Sequence, residues 1–85
     1  MDGLYIDRLK YRVKANGKWL PEVVGRTDYA GILGKPITDI AIHGATYRVR
    51  TSNGWLSWVN GYNINDKKNG YAGNGKTIYA IQIKG

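Results

Sequence analysis

An internal repeat is the feature of this sequence that most constrains its fold. Residues 11–25 read YRVKANGKWLPEVVG and residues 47–61 read YRVRTSNGWLSWVNG, and the two segments align without a gap. Residues 29–42, YAGILGKPITDIAI, and residues 71–83, YAGNGKTIYAIQI, continue the match with one residue deleted. A repeat of about 40 residues usually corresponds to one supersecondary unit that buries its apolar face against a neighbouring copy.

The whole chain is therefore predicted to form one domain, residues 1–85, made of two internal repeats. The first repeat covers about residues 4–42 and the second about residues 43–85. A chain of 85 residues is short for more than one independent core, which favours a single domain in which the two repeats pack together.

Each repeat is predicted to begin with a β-hairpin. Residues 9–13 and 45–50 alternate apolar with mainly basic side chains, the period of a strand with one buried face. The Asn-Gly pairs at 16–17 and 53–54 are typical of two-residue turns, because both residue types tolerate positive φ. A short Trp-Leu-x-x-Val strand follows each pair.

The third strand of each repeat is predicted at residues 37–42 and 78–83, which are rich in β-branched isoleucine. Residues 4–9 resemble this strand and predict a half-copy that completes a sheet. One helical turn could begin at Thr27, and no longer segment has a helical period. The predicted fold is all-β with at most one short helical turn. It consists of two pseudo-symmetric three-stranded antiparallel units packed into one compact sandwich- or barrel-like domain.

The segment Gly70–Thr77, GYAGNGKT, matches the phosphate-loop pattern G-x-x-x-x-G-K-[ST]. A phosphate loop requires a buried strand before it and a helix after it, whereas polar residues precede this segment and a strand-like run follows. The corresponding segment of the first repeat keeps Gly34-Lys35 and continues with Pro36. The pattern therefore predicts a glycine turn that leads into the third strand, and we expect no nucleotide site.

Charge and composition favour a binding protein over an enzyme. Thirteen Lys and Arg against six Asp and Glu give a net charge of +7, which favours polyanionic partners. With no cysteine and a single histidine, His43, we expect no metal site, no cofactor and no catalytic residues. No signal peptide and no apolar run long enough to cross a membrane is visible.

The repeated unit Y-R-V-x(5)-W-L-x-x-V-x-G, followed by Y-A-G and G-K-x-I, resembles the C-terminal cell-wall-binding domains of clostridial phage endolysins. It is also loosely similar to clostridial hydrophobic repeats with a Gly-Trp pair, here Gly54-Trp55, although Lys18 precedes the tryptophan of the first repeat. The resemblance covers nearly the whole chain. It implies a targeting domain that anchors a peptidoglycan hydrolase to the wall, an N-terminal catalytic domain in the parent protein, and a homodimer. It further implies synthesis in the infected bacterial cytoplasm and action at the host cell wall.

The expected ligand is a cell-wall glycan or an anionic wall polymer, because sugar rings stack on aromatic side chains and anionic groups pair with Lys and Arg. Residues that one repeat has and the other lacks are less constrained by the shared fold. Trp58 and Tyr62 are of this kind, and Tyr62 begins a six-residue insertion placed at residues 62–67. The complete set of candidate ligand-binding residues is Trp58, Tyr62, Trp55, Trp19, Arg48 and Arg50.

Two other functions remain open at this stage. A small basic β domain with exposed aromatic residues can also hold single-stranded nucleic acid, with an affinity that falls steeply as salt rises. The chain could instead be a purely oligomerising domain, since each unit presents strand edges that need a partner.

Overall fold

The computed structural model describes residues 1–26 and 30–84 of the chain as strands and turns. The strands are β1 (Lys10–Ala15), β2 (Lys18–Trp19), β3 (Val23–Val24), β4 (Ile37–Ile42), β5 (Thr46–Thr51), β6 (Gly54–Trp55), β7 (Ala72–Gly73) and β8 (Ala80–Lys84). No helix occurs among the described residues, so the predicted all-β class is confirmed. The helical turn predicted from Thr27 begins outside them.

The strands form two antiparallel sheets. The first sheet has the order β2-β1-β4-β7, with β3 also paired with β1, and the second has the order β6-β5-β8. The first sheet has five strands instead of the predicted three for two reasons. The predicted Trp-Leu-x-x-Val strand is divided into β2 and β3. In addition, β7 belongs to the second repeat but pairs with β4 of the first, through Asp39 opposite Gly73 and Ile40 opposite Ala72. The two repeats are thus joined by backbone hydrogen bonds as well as by side-chain packing.

Alternation along β1 and β5 creates the core. Tyr11 and Val13 in β1 and Tyr47 and Val49 in β5 are fully buried, while the residues between them face outward. The third strands β4 and β8 pair with β1 and β5 and add isoleucines beside these residues. The buried cluster comprises Ile6, Tyr11, Val13, Val23, Ala30, Ile37, Ile40, Ile42, Ala45, Tyr47, Val49, Val59, Ala72 and Ile78.

The two hairpin turns occupy equivalent positions of the repeats and have two residues each. In the first, Asn16 and Gly17 have φ values of 54° and 76° and connect β1 to β2, as predicted. In the second, Gly54 already belongs to β6, so the turn consists of Ser52 and Asn53, and the prediction of an Asn53-Gly54 turn is wrong. The register of β5 fixes this position, and the Asn53 amide donates to Thr51 Oγ1 at 3.2 Å.

Equivalent residues of the two repeats make the same hydrogen bonds. The Tyr11 hydroxyl donates to the Gly25 carbonyl at 2.7 Å, and the Tyr47 hydroxyl donates to the Gly61 carbonyl at 2.8 Å. Each bond links the first strand of a repeat to the glycine that ends its Trp-Leu-x-x-Val segment. Equivalent buried tyrosines therefore bind the end of the Trp-Leu-x-x-Val segment in both repeats.

The contact between successive third strands also occurs twice. The Ile37 amide donates to the Met1 carbonyl at 2.7 Å, and the Ile78 amide donates to the Ile37 carbonyl at 2.9 Å. The N-terminal segment thus occupies the place of a third strand relative to β4. It is not the regular strand predicted over residues 4–9, because its ladder is a single bridge between Leu4 and Ala30 and Arg8 has a φ of 66°.

Asp39 is an acidic side chain in β4, opposite Lys14 of β1, and it is only 4% exposed. Burial raises its pKa above the ordinary value of 3.8, although the hydroxyl of Thr38 donates to its carboxyl group at 2.8 Å and partly opposes the rise. Since the folded-state pKa is raised, the protonated form stabilises the fold. That contribution is present below the unfolded-state pKa and is lost as pH rises through the folded-state pKa.

We therefore expect Asp39→Asn, which mimics the protonated acid, to be more stable than the wild type at pH 7. The difference in the free energy of unfolding should shrink as pH falls below the raised folded-state pKa of Asp39, because Asp39 itself then takes up a proton. Urea unfolding of both proteins across this pH range measures it. A difference that stays constant with pH would show that the Asp39 carboxyl has an ordinary pKa in the folded protein.

Candidate functional site

The outer face of the second sheet carries basic and aromatic side chains. Alternation in β5 turns Arg48 away from the core between Tyr47 and Val49. The register of the sheet then places Gln82 of β8 opposite Arg48, and Trp55 of β6 opposite Arg50. Three short strands thereby collect polar and aromatic groups from distant parts of the sequence on one face.

Arg48 is the centre of this face. Its guanidinium carbon lies 4.6 Å from the ring centroid of Trp55 and 4.6 Å from that of Trp58. Its Nε–H donates to Gln82 Oε1 at 2.7 Å. The Lys84 ammonium lies 4.4 Å from the Trp58 ring centroid. We call Arg48, Trp55, Trp58, Gln82 and Lys84 the tryptophan–arginine cluster.

The cluster is both held in place and open to solvent. A cation over an exposed aromatic ring contributes about 0.5–1 kcal/mol, and three such contacts share two rings and two cations here. Trp55 remains 43% exposed. Among the residues that the structure describes, Nε is the only Arg48 side-chain atom that makes a hydrogen bond. The arrangement can place an apolar sugar face against tryptophan while an anionic substituent meets the cations.

The corresponding place in the first repeat takes part in a contact between the repeats. The sequence alignment puts Glu22 where the second repeat has Trp58. The Tyr62 hydroxyl donates to Glu22 in a short hydrogen bond, and the Tyr62 ring meets His43 edge-on at 5.6 Å. Lys10 also pairs with Glu22 at 4.0 Å. Tyr62 of the second repeat therefore contacts the position of the first repeat that corresponds to Trp58.

Tyr62 consequently belongs to the contact between the repeats. Burial and, after it, the hydrogen bond and charge of Glu22 raise the pKa of Tyr62 well above its ordinary value of 10.0. The phenol stays protonated and acts as a hydrogen-bond donor at any physiological pH. The contact with Glu22 gives Tyr62, a candidate ligand-binding residue from the sequence, a structural role between the repeats.

The six candidate residues are thus separated into groups. Arg48, Trp55 and Trp58 meet in the cluster, and Arg50 is exposed beside them, opposite Trp55. Trp19 lies elsewhere, with its ring edge-on to Tyr71 at 5.2 Å.

Two members of the cluster, Gln82 and Lys84, were not among the candidates from the sequence. The sequence feature that could have identified them is the alternation of apolar and polar residues near the end of the chain, where Gln82 and Lys84 occupy the polar positions. Alternation alone, however, does not show which tryptophan lies beside them.

Within residues 1–26 and 30–84, no group of three acidic or histidine side chains is placed to bind a metal ion. The same residues contain no helix that could cross a membrane. Comparison of the chain with protein family models, with curated proteins and with solved structures finds no match.

Proposed function

We propose that the chain is a non-catalytic cell-wall-binding domain of a phage endolysin, which anchors a peptidoglycan hydrolase to the clostridial wall. The observation that carries the proposal is the tryptophan–arginine cluster, in which Arg48 lies over both Trp55 and Trp58 on an exposed face. Its ligand is a wall glycan or an anionic wall polymer. The net charge of +7 supports an anionic partner, and the resemblance of the repeats supports the wall as its location.

The cluster fits this ligand because it combines stacking with charge. Arg48 and Lys84 supply two cations, and no carboxylate belongs to the cluster, so an anionic substituent would meet positive charge alone. The contacts among the side chains arrange them before a ligand arrives, which reduces the entropy lost on binding.

Further parts of the proposal concern the parent protein. A catalytic domain would precede this chain, and the whole enzyme would be made in the infected cell and act at its wall. A homodimer would present two clusters to one polymer and raise the apparent affinity without any new contact.

Trp58→Ala tests the proposal. The change removes the ring that Arg48 and Lys84 share, and we expect it to weaken binding to purified clostridial cell walls at least tenfold, as loss of an aromatic anchor in a binding site does. Cosedimentation of the 85-residue chain with walls measures the affinity, and circular dichroism establishes that the variant is folded. Tyr79→Ala is the matched control, because Tyr79 is 62% exposed and lies outside the cluster.

Two results would contradict the proposal. One is equal wall binding by Trp58→Ala and Tyr79→Ala when both are folded. The other is tighter binding to a single-stranded oligonucleotide than to walls, with a steep dependence on salt, which would favour the nucleic-acid function.

A further inference from the structure

A second concave surface lies where the two repeats meet, apart from the tryptophan–arginine cluster. Its main cavity has a volume of about 670 Å³ and a floor that includes Gly73 of β7. A smaller cavity of about 280 Å³ continues it past Leu56 and Val59. The two cavities share Lys67, Lys68, Tyr71 and Gly73 in their lining, so they adjoin each other, and we call them together the junction groove.

Positive charge dominates the walls of the junction groove. Lys14, Lys67 and Lys68 line the main cavity, and buried Asp39 is the one acidic residue in its lining. Among the described residues the single ion pair within 4.0 Å joins Lys10 to Glu22. Asp39 interacts electrostatically with Lys14 and Lys67 without forming such a pair, and the lining still holds three cations against one carboxyl group. Three cations gathered around one concavity create a field that attracts an anion.

Hydrogen bonds to Asp66 fix the backbone of the loop that carries Lys67 and Lys68. The Asp66 carboxylate accepts the amide of Lys68 at 3.1 Å, and the Asp66 carbonyl accepts the amide of Gly70 at 2.9 Å. This loop, between Gly61 and Tyr71, is longer than its counterpart in the first repeat. The shared fold therefore does not require the lysines.

Aromatic and polar groups complete the junction groove. Tyr71 lines both cavities and is supported by the ring of Trp19 at an interplanar angle of 78°. Asn74 lines the main cavity, and its side-chain amide donates to Asn53 Oδ1 at 3.1 Å. A ring for stacking and ammonium groups for an anion are parts of a site for a charged sugar.

We infer that the junction groove is a second binding site that takes an anionic sugar unit, with its ring against Tyr71 and its anionic group between Lys67 and Lys68. The anion is a phosphate or a carboxylate on the sugar. This site is separate from the tryptophan–arginine cluster and does not depend on it. If both sites bind one polymer, they act as two linked points of attachment.

Amide chemical shifts of the 85-residue chain, titrated with glucose 1-phosphate, glucuronate and methyl glucoside, test this inference. We expect the amides of Lys68, Gly73, Asn74 and Gly75 to shift with at least one anionic sugar and much less with the neutral one. The two anionic probes distinguish a phosphate ligand from a carboxylate ligand.

The variant Lys67→Ala with Lys68→Ala should weaken binding of the effective probe at least tenfold. The control, Lys18→Ala with Lys35→Ala, loses the same charge outside the junction groove and should change the affinity less than twofold. The inference is wrong if neither anionic sugar shifts the groove amides, if the two double variants lose affinity equally, or if methyl glucoside binds as well as the charged sugars. Since these readouts are specific to the groove, they remain decisive whether or not Trp58→Ala affects wall binding.

Discussion

Gly73→Ala is expected to destabilise the protein by about 3 kcal/mol or more, because the new methyl group has no room and the backbone is strained for an L-residue. Gly73 has a φ of 141°, and an added Cβ would lie 2.7 Å from the Cα of Asp39 and closer still to its carboxylate and to the Thr38 carbonyl. These atoms belong to β4, so relief would require β7 to move away from the first sheet. Urea unfolding followed by tryptophan fluorescence measures the loss.

A domain of 85 residues has a total stability of about 4–13 kcal/mol, so this change should bring the protein near the limit of folding. Gly75→Ala is the matched control. Gly75 also has a positive φ, 81°, but an added Cβ would meet no atom within 4 Å, and the expected cost is about 1 kcal/mol. Equal costs for the two variants would contradict the close approach of β7 to β4 at Gly73.

Tyr11→Phe is expected to cost about 2–4 kcal/mol, roughly twice the cost of Tyr47→Phe. The Tyr11 hydroxyl accepts the Ile6 amide at 2.9 Å and donates to the Gly25 carbonyl at 2.7 Å, and both bonds are buried. Its loss leaves a donor and an acceptor unsatisfied away from water. Thermal and urea unfolding of both variants measure the difference.

Tyr47→Phe should cost less because its two bonds are of unequal quality. Its hydroxyl donates to the Gly61 carbonyl at 2.8 Å, and the Gly70 carbonyl at 3.4 Å also accepts the Asn63 amide. The variant therefore loses mainly one partly buried bond. If Tyr47→Phe proved the more damaging change, the Ile6 amide would have to find another partner in Tyr11→Phe, for example water.

Strand positions were largely predictable from the sequence because they depend on local alternation. Residues 37–42 were predicted as a strand and form β4, and the first strands of both repeats shift by only one or two residues. The pairing of β7 with β4 could not be predicted in this way, since it joins residues far apart in the sequence. The second hairpin turn lies one residue before the position predicted from the Asn-Gly pair, and Gly54 still has a positive φ, 93°, as the first residue of β6.

The candidate site was partly predictable for a related reason. Trp58 and Tyr62 were both predicted to bind a ligand because the first repeat has no counterpart of either residue. In the structure, Trp58 lies in the tryptophan–arginine cluster, whereas Tyr62 is hydrogen-bonded to Glu22. A residue without a counterpart serves either a ligand or the contact between unequal copies. Sequence comparison of the repeats cannot separate these two roles, because the contact exists only in three dimensions.

The pairing of each Ala-Gly segment with the third strand before it has a consequence for how such a chain can evolve. Ala30 forms a β-bridge with Leu4, and Ala72 pairs with Ile40, so the same kind of antiparallel pairing occurs twice. The number of strands in a closed barrel is fixed by its geometry. Repeats that are joined by the same kind of strand pairing can instead increase in number by tandem duplication, because an added repeat pairs with its neighbour in the same way. The number of modules can then change by duplication of a gene segment, without a new kind of strand pairing.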